Sequence, residues 1–184
     1  NKIITTGGGG MILTNNKSIS KHARYYINQA KDNSHNFIHN DIGYNFKLTN
    51  INAALGITQL KKINTFLNKK KIIRSIYQKG ISNIEGLSLL PVPNYSQNNY
   101  WLNILYIDQK KYKKKKDKLI KEFRKNKIEV RSIWQLNHLQ KPYIKCQSYK
   151  IYNAYKLLKN CICLPSSVFL NNKDQKRILS IMEQ

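Results

Sequence analysis

The chain reads as an α/β protein. Short β-rich runs alternate with helical periodicities from Gly86 onward, and a long apolar repeat of helical spacing precedes them. No run approaches the ~20 consecutive apolar residues that a membrane helix needs. At 184 residues the chain suffices for one ordinary domain, or for the tail of one domain plus a small second one. A chain of this length buries roughly 70% of its unfolded surface.

Residues 3–6 and 11–14 are β-rich runs on either side of Gly7, Gly8, Gly9 and Gly10, which predicts a hairpin. Ile19, Ala23, Tyr26, Ile27 and Ala30 share one face of a predicted helix over residues 17–30. Residues 32–41 are polar and aperiodic, so they read as a loop carrying His35 and His39, with no cysteine or carboxylate at ligand spacing. After Gly43, the residues Leu48, Ile51, Ala54, Leu55, Leu60, Ile63, Phe66 and Leu67 repeat every three to four positions, and Thr49 is placed to cap them. The pattern runs through Ile72, Ile73, Ile76 and Tyr77 to a stop at Gly80, as one helix of about thirty residues or two in tandem.

From Gly86 the texture changes. Strands are predicted at 87–91, 100–107, 128–133 and 161–164, helices at 112–125, 149–158 and 173–182, and a loop at 134–143. Tyr100 and Trp101 read as core-strand residues. The domain boundary is expected near residue 80, separating residues 1–80 from a small α/β domain at 81–184.

The net charge of +24 invites a nucleic-acid-binding reading. The lysines are nevertheless scattered among abundant Asn, Ile and Tyr, a bias expected of an AT-rich genome. The one true cluster, 110–118, runs into the apolar stripe of Leu119, Ile120 and Phe123, so most of its lysines are expected on a solvated helix face. Cys146, Cys161 and Cys163 are odd in number. The Cys-x-Cys pair would share one strand face, and the expectation is buried thiols in a reducing cytosol, with no disulfide and no metal site.

Three stretches carry more specific information: NKIITTGGGGMILTN at the start, GYNFKLTNINAALGITQL at 43–60, and VRSIWQLNHLQKPY at 130–143. In this order they resemble the DegT/DnrJ/StrS sugar aminotransferases, pyridoxal 5'-phosphate (PLP) enzymes of the aspartate-aminotransferase fold, fold type I. The resemblance implies that the chain is the C-terminal half of a longer enzyme. Residues 1–80 would end the large PLP-binding domain with a long interdomain helix, and 81–184 would form the small domain. LNHLQKPY and the CLPSS at 163–167 resemble the members that make bacillosamine- or legionaminic-type sugars. The implied reaction moves an amino group, from glutamate, onto a nucleotide-linked 4-keto-6-deoxy sugar for surface glycans, in a cytoplasmic homodimer.

Transamination requires a primary amine that forms an imine with the cofactor, and lysine alone among side chains supplies one. Lys2 matches the family's Schiff-base lysine before the glycine turn, where a dehydrating branch carries histidine. Asn45 matches the asparagine that reaches the phosphate of the partner's cofactor, since an amide donates two hydrogen bonds without adding charge. Lys47 stands where arginine is frequent and lacks the bidentate fork. Gly7 to Gly10 replace a turn that carries a glutamate in relatives. Arg131, Trp134, His138 and Gln140 are implied near the active-site mouth, the arginine toward a diphosphate and the aromatics toward sugar or base. The remaining cofactor ligands are expected upstream, so the isolated fragment is expected to be inactive. Two rivals stand beside this reading: a small basic nucleic-acid-binding module, and a scaffold paralogue without the chemistry.

Overall fold

The computed structural model describes residues 2–33 and 35–184; Asn1 and Ser34 lie outside the described residues. Two compact units divide the chain, Lys2–Ile63 and Asn64–Gln184. By this division the break falls one residue into the helix that begins at Ile63, rather than near residue 80.

In the N-terminal unit, helix α1 (Lys17–Ile27) is capped by Asn16, whose side chain accepts the N–H groups of Ser18 and Ile19 at 2.9 and 3.2 Å. It ends three residues earlier than its periodicity predicts. Gln29 and Ala30 adopt positive φ of 67° and 49°, and the Ala30 N–H returns to the Tyr25 carbonyl at 3.0 Å, closing the last turn. Strands β1 (Lys31–Asn33) and β2 (Ile38–His39) pair antiparallel where a loop was expected. Asn33 Oδ1 accepts from the N–H groups of His35 and Asn36, and Asp32 Oδ2 accepts from Asn40, so polar side chains build this hairpin without apolar alternation.

The predicted glycine hairpin is absent: residues 3–14 form no strand. Local bonds replace a ladder, Gly7 N–H donating to Thr5 Oγ1 at 3.0 Å and Thr6 Oγ1 donating to the Gly8 carbonyl at 2.6 Å. Helix α2 (Asn50–Lys61) starts at the predicted cap, Thr49, which accepts from Asn52 N–H at 3.3 Å.

Helix α3 (Ile63–Ile81) follows, so the long repeat is two helices in tandem, separated at Lys62. Gly80 does not stop α3. It lies inside the helix, where a Cβ would fall within 2.5 Å of Leu179 side-chain atoms, so its role is close packing. Beyond α3 come β3 (Leu87–Leu89), β4 (Asn103–Ile107), α4 (Lys116–Lys125), β5 (Arg131–Ser132), α5 (Tyr152–Asn160), β6 (Cys161–Leu164) and α6 (Asn172–Glu183). The strands form one antiparallel sheet in the order β3-β4-β6-β5. The loop expected at 134–143 contains two single 3-10 turns, Asn137–Leu139 and Lys141–Tyr143.

One face of this sheet carries Leu87, Leu89, Leu105, Ile107, Ile162 and Leu164 against Ile73, Tyr77 and Ile81 of α3, Leu119 and Phe123 of α4, and Ile178 and Met182 of α6. Tyr100 and Trp101 are not strand residues. The Oδ1 atoms of Asn98 and Asn99 accept their N–H groups at 2.7 and 3.0 Å, and this turn chemistry delays the strand to Asn103. Lys70 of α3 is 3% exposed and donates to the carbonyls of Trp101, at 3.0 Å, and Ser166. Tyr77 Oη donates to the Pro165 carbonyl, and Asn103 N–H and Nδ2 both donate to Ser166 Oγ, so the CLPSS stretch is a structural knot at the end of β6.

Most of the lysine cluster is exposed as expected (Lys110, Lys111, Lys113, Lys115 and Lys118), but some of its cations make specific contacts. Lys114 is buried and pairs with Glu122 at 2.5 Å, Lys116 donates to Ser132 Oγ and the Leu158 carbonyl at 2.6 Å each, and Lys113 donates to the Glu183 carbonyl. Several of these cations therefore tether α4's entry to its neighbours. Cys161 is buried and Cys163 half-buried, whereas Cys146 is exposed, against the expectation of buried thiols; all three are free. Burial pushes the Cys161 thiol up to about 11, so it stays protonated at neutral pH.

Candidate functional site

The segment bearing Asn45 is held by backbone. Tyr44 N–H donates to the Tyr26 carbonyl at 2.7 Å, Gln29 N–H to the Tyr44 carbonyl at 3.1 Å, and Phe46 N–H to the Ile27 carbonyl at 3.0 Å. Residues 44–46 are thus laced antiparallel to the end of α1, with Asn45 opposite Asn28. Gly43 makes the crossing possible: a Cβ there would lie 2.2 Å from Ala30 N and 2.3 Å from the Gln29 carbonyl carbon. Beside it, Tyr26 Oη donates to Asp41 Oδ2 at 2.8 Å, and Asp41 Oδ1 accepts from Ile42 N–H. Those two bonds, the tyrosine's first, hold the Asp41 carboxyl below its usual range.

The glycine turn lies in the same unit. Gly7 and Gly9 have φ of 80° and 133°, conformations that side chains resist, and Thr6 packs so closely on α2 that a Cβ at Gly56 would meet its Cγ2 at 2.8 Å. Between this turn, α1 and the start of α2 is a cavity of about 940 Å³. Arg24, Asn45, Lys47, Ser20 and Asn52 supply its polar walls, Met11, Ile12 and Phe46 part of its apolar wall, and no carboxylate lines it. The Asn45 amide is exposed and makes no hydrogen bond among the described residues. Two cations, an unspent amide and hydroxyls, with no opposing acid, suit an anionic ligand such as a phosphate ester.

Lys2 is exposed and does not line this cavity. Asn45 and Lys47 do line it, so the structure brings those two together and leaves the lysine apart. Arg24 and Asn52 were missed in the sequence. Arg24 follows Ala23 on α1 and lines the cavity with Ser20, Ala23 and Ile27, at helical spacing. A cation next to the predicted apolar stripe was the available signal.

Arg131, Trp134 and His138 all belong to the C-terminal unit, and none lines the Asn45 cavity. Arg131 is exposed on β5, with Nε and Nη2 donating to Glu129 Oε1 at 2.9 and 2.6 Å. The Trp134 ring is 61% exposed and lies 5.8 Å from that of Trp101. His138 Nε2 is 2.9 Å from Tyr155 Oη, with the rings edge to face. Each of the three has its own neighbour. No cluster of His, Cys, Asp and Glu that could hold a metal occurs among the described residues. None of the described helices is long and apolar enough to cross a membrane.

Comparisons with known proteins give this geometry a context. The sequence pattern of the DegT/DnrJ/EryC1/StrS aminotransferase family matches residues 1–183. The chain is 29% identical over 188 residues to EpsN of Bacillus subtilis (strain 168), named as a pyridoxal phosphate-dependent aminotransferase, covering 99% of this chain and 47% of that protein. It is 37% identical over 105 residues to the GDP-perosamine synthase of Escherichia coli O157:H7, covering 55% of this chain and 28% of that one. Its fold superposes with a TM-score of 0.83 on Helicobacter pylori PseC, an aminotransferase involved in the biosynthesis of pseudoaminic acid, at 21% identity over 98% of this chain and 49% of PseC. The chain spans about half the length of EpsN and of PseC. It belongs to the DegT/DnrJ/EryC1/StrS aminotransferase family, whose cofactor is pyridoxal 5'-phosphate.

Proposed function

We propose that this chain is the C-terminal half of a PLP-dependent aminotransferase that transfers an amino group, from glutamate, to a nucleotide-linked 4-keto-6-deoxy sugar. The observation that carries the reading is the Asn45 cavity, where an unbonded amide stands with Arg24 and Lys47 and no acid. Such walls fit the phosphate of the cofactor. When bound, PLP supplies an electron sink for the carbon from which a proton is removed.

In this reading the chain's own groups divide the work. Lys2 supplies the amine that attaches the cofactor and later carries a proton at its Nζ. Asn45 donates hydrogen bonds to phosphate oxygens, while Arg24 and Lys47 oppose their charge. In this reading the protein is a cytoplasmic homodimer in which the lysine serves its own site and the asparagine the partner's, a division supported by Lys2 standing outside the cavity that Asn45 lines. The perosamine synthase and PseC support amino-sugar chemistry, and the surface-glycan branch of bacillosamine or legionaminic type remains part of this proposal. Arg131, Trp134 and His138 are proposed for the sugar nucleotide, which requires Arg131 to leave Glu129; an exposed pair of that kind costs little to open, about 0–1 kcal/mol.

The test uses the full-length protein with PLP. Borohydride should fix the cofactor to Lys2, and Lys2→Ala should abolish both the adduct and turnover. Mixing Lys2→Ala with Asn45→Ala subunits should restore activity, because one site of each mixed dimer then holds both residues. A missing adduct overturns the enzyme reading and favours the scaffold. An adduct without restoration overturns only the shared site. Salt-dependent nucleic-acid binding independent of Lys2 would support the rival module.

A further inference from the structure

The C-terminal unit carries a second cleft, of about 990 Å³, between one face of α3 and the segment that follows β3. Lys71, Arg74 and Gln78 line it from the helix, and Pro91, Asn98 and Tyr100 from the segment. None of the nine acidic residues of the chain is among its lining residues. Arg74 lies over the Tyr100 ring at 5.8 Å, and its Nη2 donates to the Leu90 carbonyl at 2.7 Å. No carboxylate pairs with it among the described residues, and its remaining N–H donors are unspent. Lys71, one turn earlier, is exposed and equally unpaired.

The neutral walls add a second kind of recognition. Asn98 and Asn99 spend their Oδ1 atoms on the backbone N–H groups of Tyr100 and Trp101, which leaves both Nδ2 groups to donate. Gln78 and Gln97 add amides that both donate and accept. The Tyr100 ring, held at a positive φ of 49°, and Pro91 and Val92 provide apolar faces of the kind on which the C–H face of a pyranose packs. A pair of unneutralised cations calls for an anion, amides call for hydroxyl groups, and the volume suits a small organic molecule rather than an inorganic ion.

We propose that this cleft binds a sugar phosphate, its phosphate held by Lys71 and Arg74 and its ring hydroxyls by the amides of residues 78 and 97–99. The inference stands on the C-terminal unit alone and does not depend on the proposed transamination.

Glucose 1-phosphate is the probe, titrated into the chain and followed by backbone amide NMR. The expected result is saturable shifts centred on residues 96–101 and the α3 residues that line the cleft. Glucose and inorganic phosphate should each bind at least about tenfold more weakly. Lys71→Gln removes no hydrogen bond or ion pair among the described residues and should weaken binding about fivefold or more; Arg74→Gln should remove it, and Arg74→Lys should restore part. The Arg74 variants also release the Leu90 carbonyl, so Lys71→Gln keeps the test independent of folding. The proposal is overturned by an absence of shifts, by shifts centred elsewhere, by equal affinity in Lys71→Gln, or by inorganic phosphate binding as well as the sugar phosphate.

Discussion

The two units of this chain use apolar residues in opposite ways. In the C-terminal unit they close on one another, so that Phe123, Leu105 and Tyr77 have no exposed surface. In the N-terminal unit Ala30 alone is buried among the described residues. Helix α2 leaves Ile51, Ile57 and Leu60 exposed at 82, 57 and 57%, and Met11 and Leu13 stand free at 82 and 86%. A helix apolar on several faces and buried on none lacks the cover that such faces ordinarily receive. The comparison teaches that periodicity reports which faces are to be covered, and only packing within the chain reports which ones are.

Substitutions can break that comparison. Phe123→Ala should cost the C-terminal unit about 3–5 kcal/mol in denaturant unfolding, whereas Ile51→Ala in α2 should stay within about 0.5 kcal/mol in the same chain. A cost for Ile51→Ala approaching the first value would show that the N-terminal unit has a core of its own. Lys70→Met, which strands two partly buried carbonyls, should cost about 1–3 kcal/mol in the same assay.

Alkaline pH sharpens the contrast. Burial, then the Glu122 charge, pushes the Tyr112 hydroxyl from 10.0 up to about 12, and it donates to the Met182 carbonyl at 2.7 Å. A raised folded value means that this contribution is complete below pH 10 and is lost as pH rises toward 12. Stability should fall by about 1 kcal/mol by roughly pH 11, and Tyr112→Phe should flatten that part of the profile. Another small effect belongs to the other unit. Thr49→Ala should cost α2 about 0.5–1 kcal/mol, read as loss of helix protection in amide exchange, because the cap bond is long at 3.3 Å.

How much was legible in the sequence follows the same division. β6 appears at its predicted bounds, and α6 within one residue of its bounds at either end, because apolar pattern and burial coincide there. The strand expected over 100–107 lost its first three residues to asparagine side chains that outcompeted the ladder. The glycine hairpin failed for a related reason: threonine hydroxyls satisfied the turn locally, and no partner strand is present among the described residues. Of the candidate site, Asn45 and Lys47 line one cavity, while Arg24, which lines it too, lies on a helix whose legible signal was its apolar stripe. CLPSS, singled out as a branch signature, turned out to anchor Lys70, Tyr77 and Asn103.

Gly43 has a consequence that reaches beyond its own turn. Where residues 44–46 cross the end of α1 with barely 2 Å to spare for any added carbon, the backbone position of the neighbouring asparagine is fixed by main-chain bonds. A methyl group at that crossing would pry the two segments apart and swing Asn45 off its bearing without altering a single functional group. Aim here is set by omission, and a screen that samples only polar positions would walk past the residue that sets it.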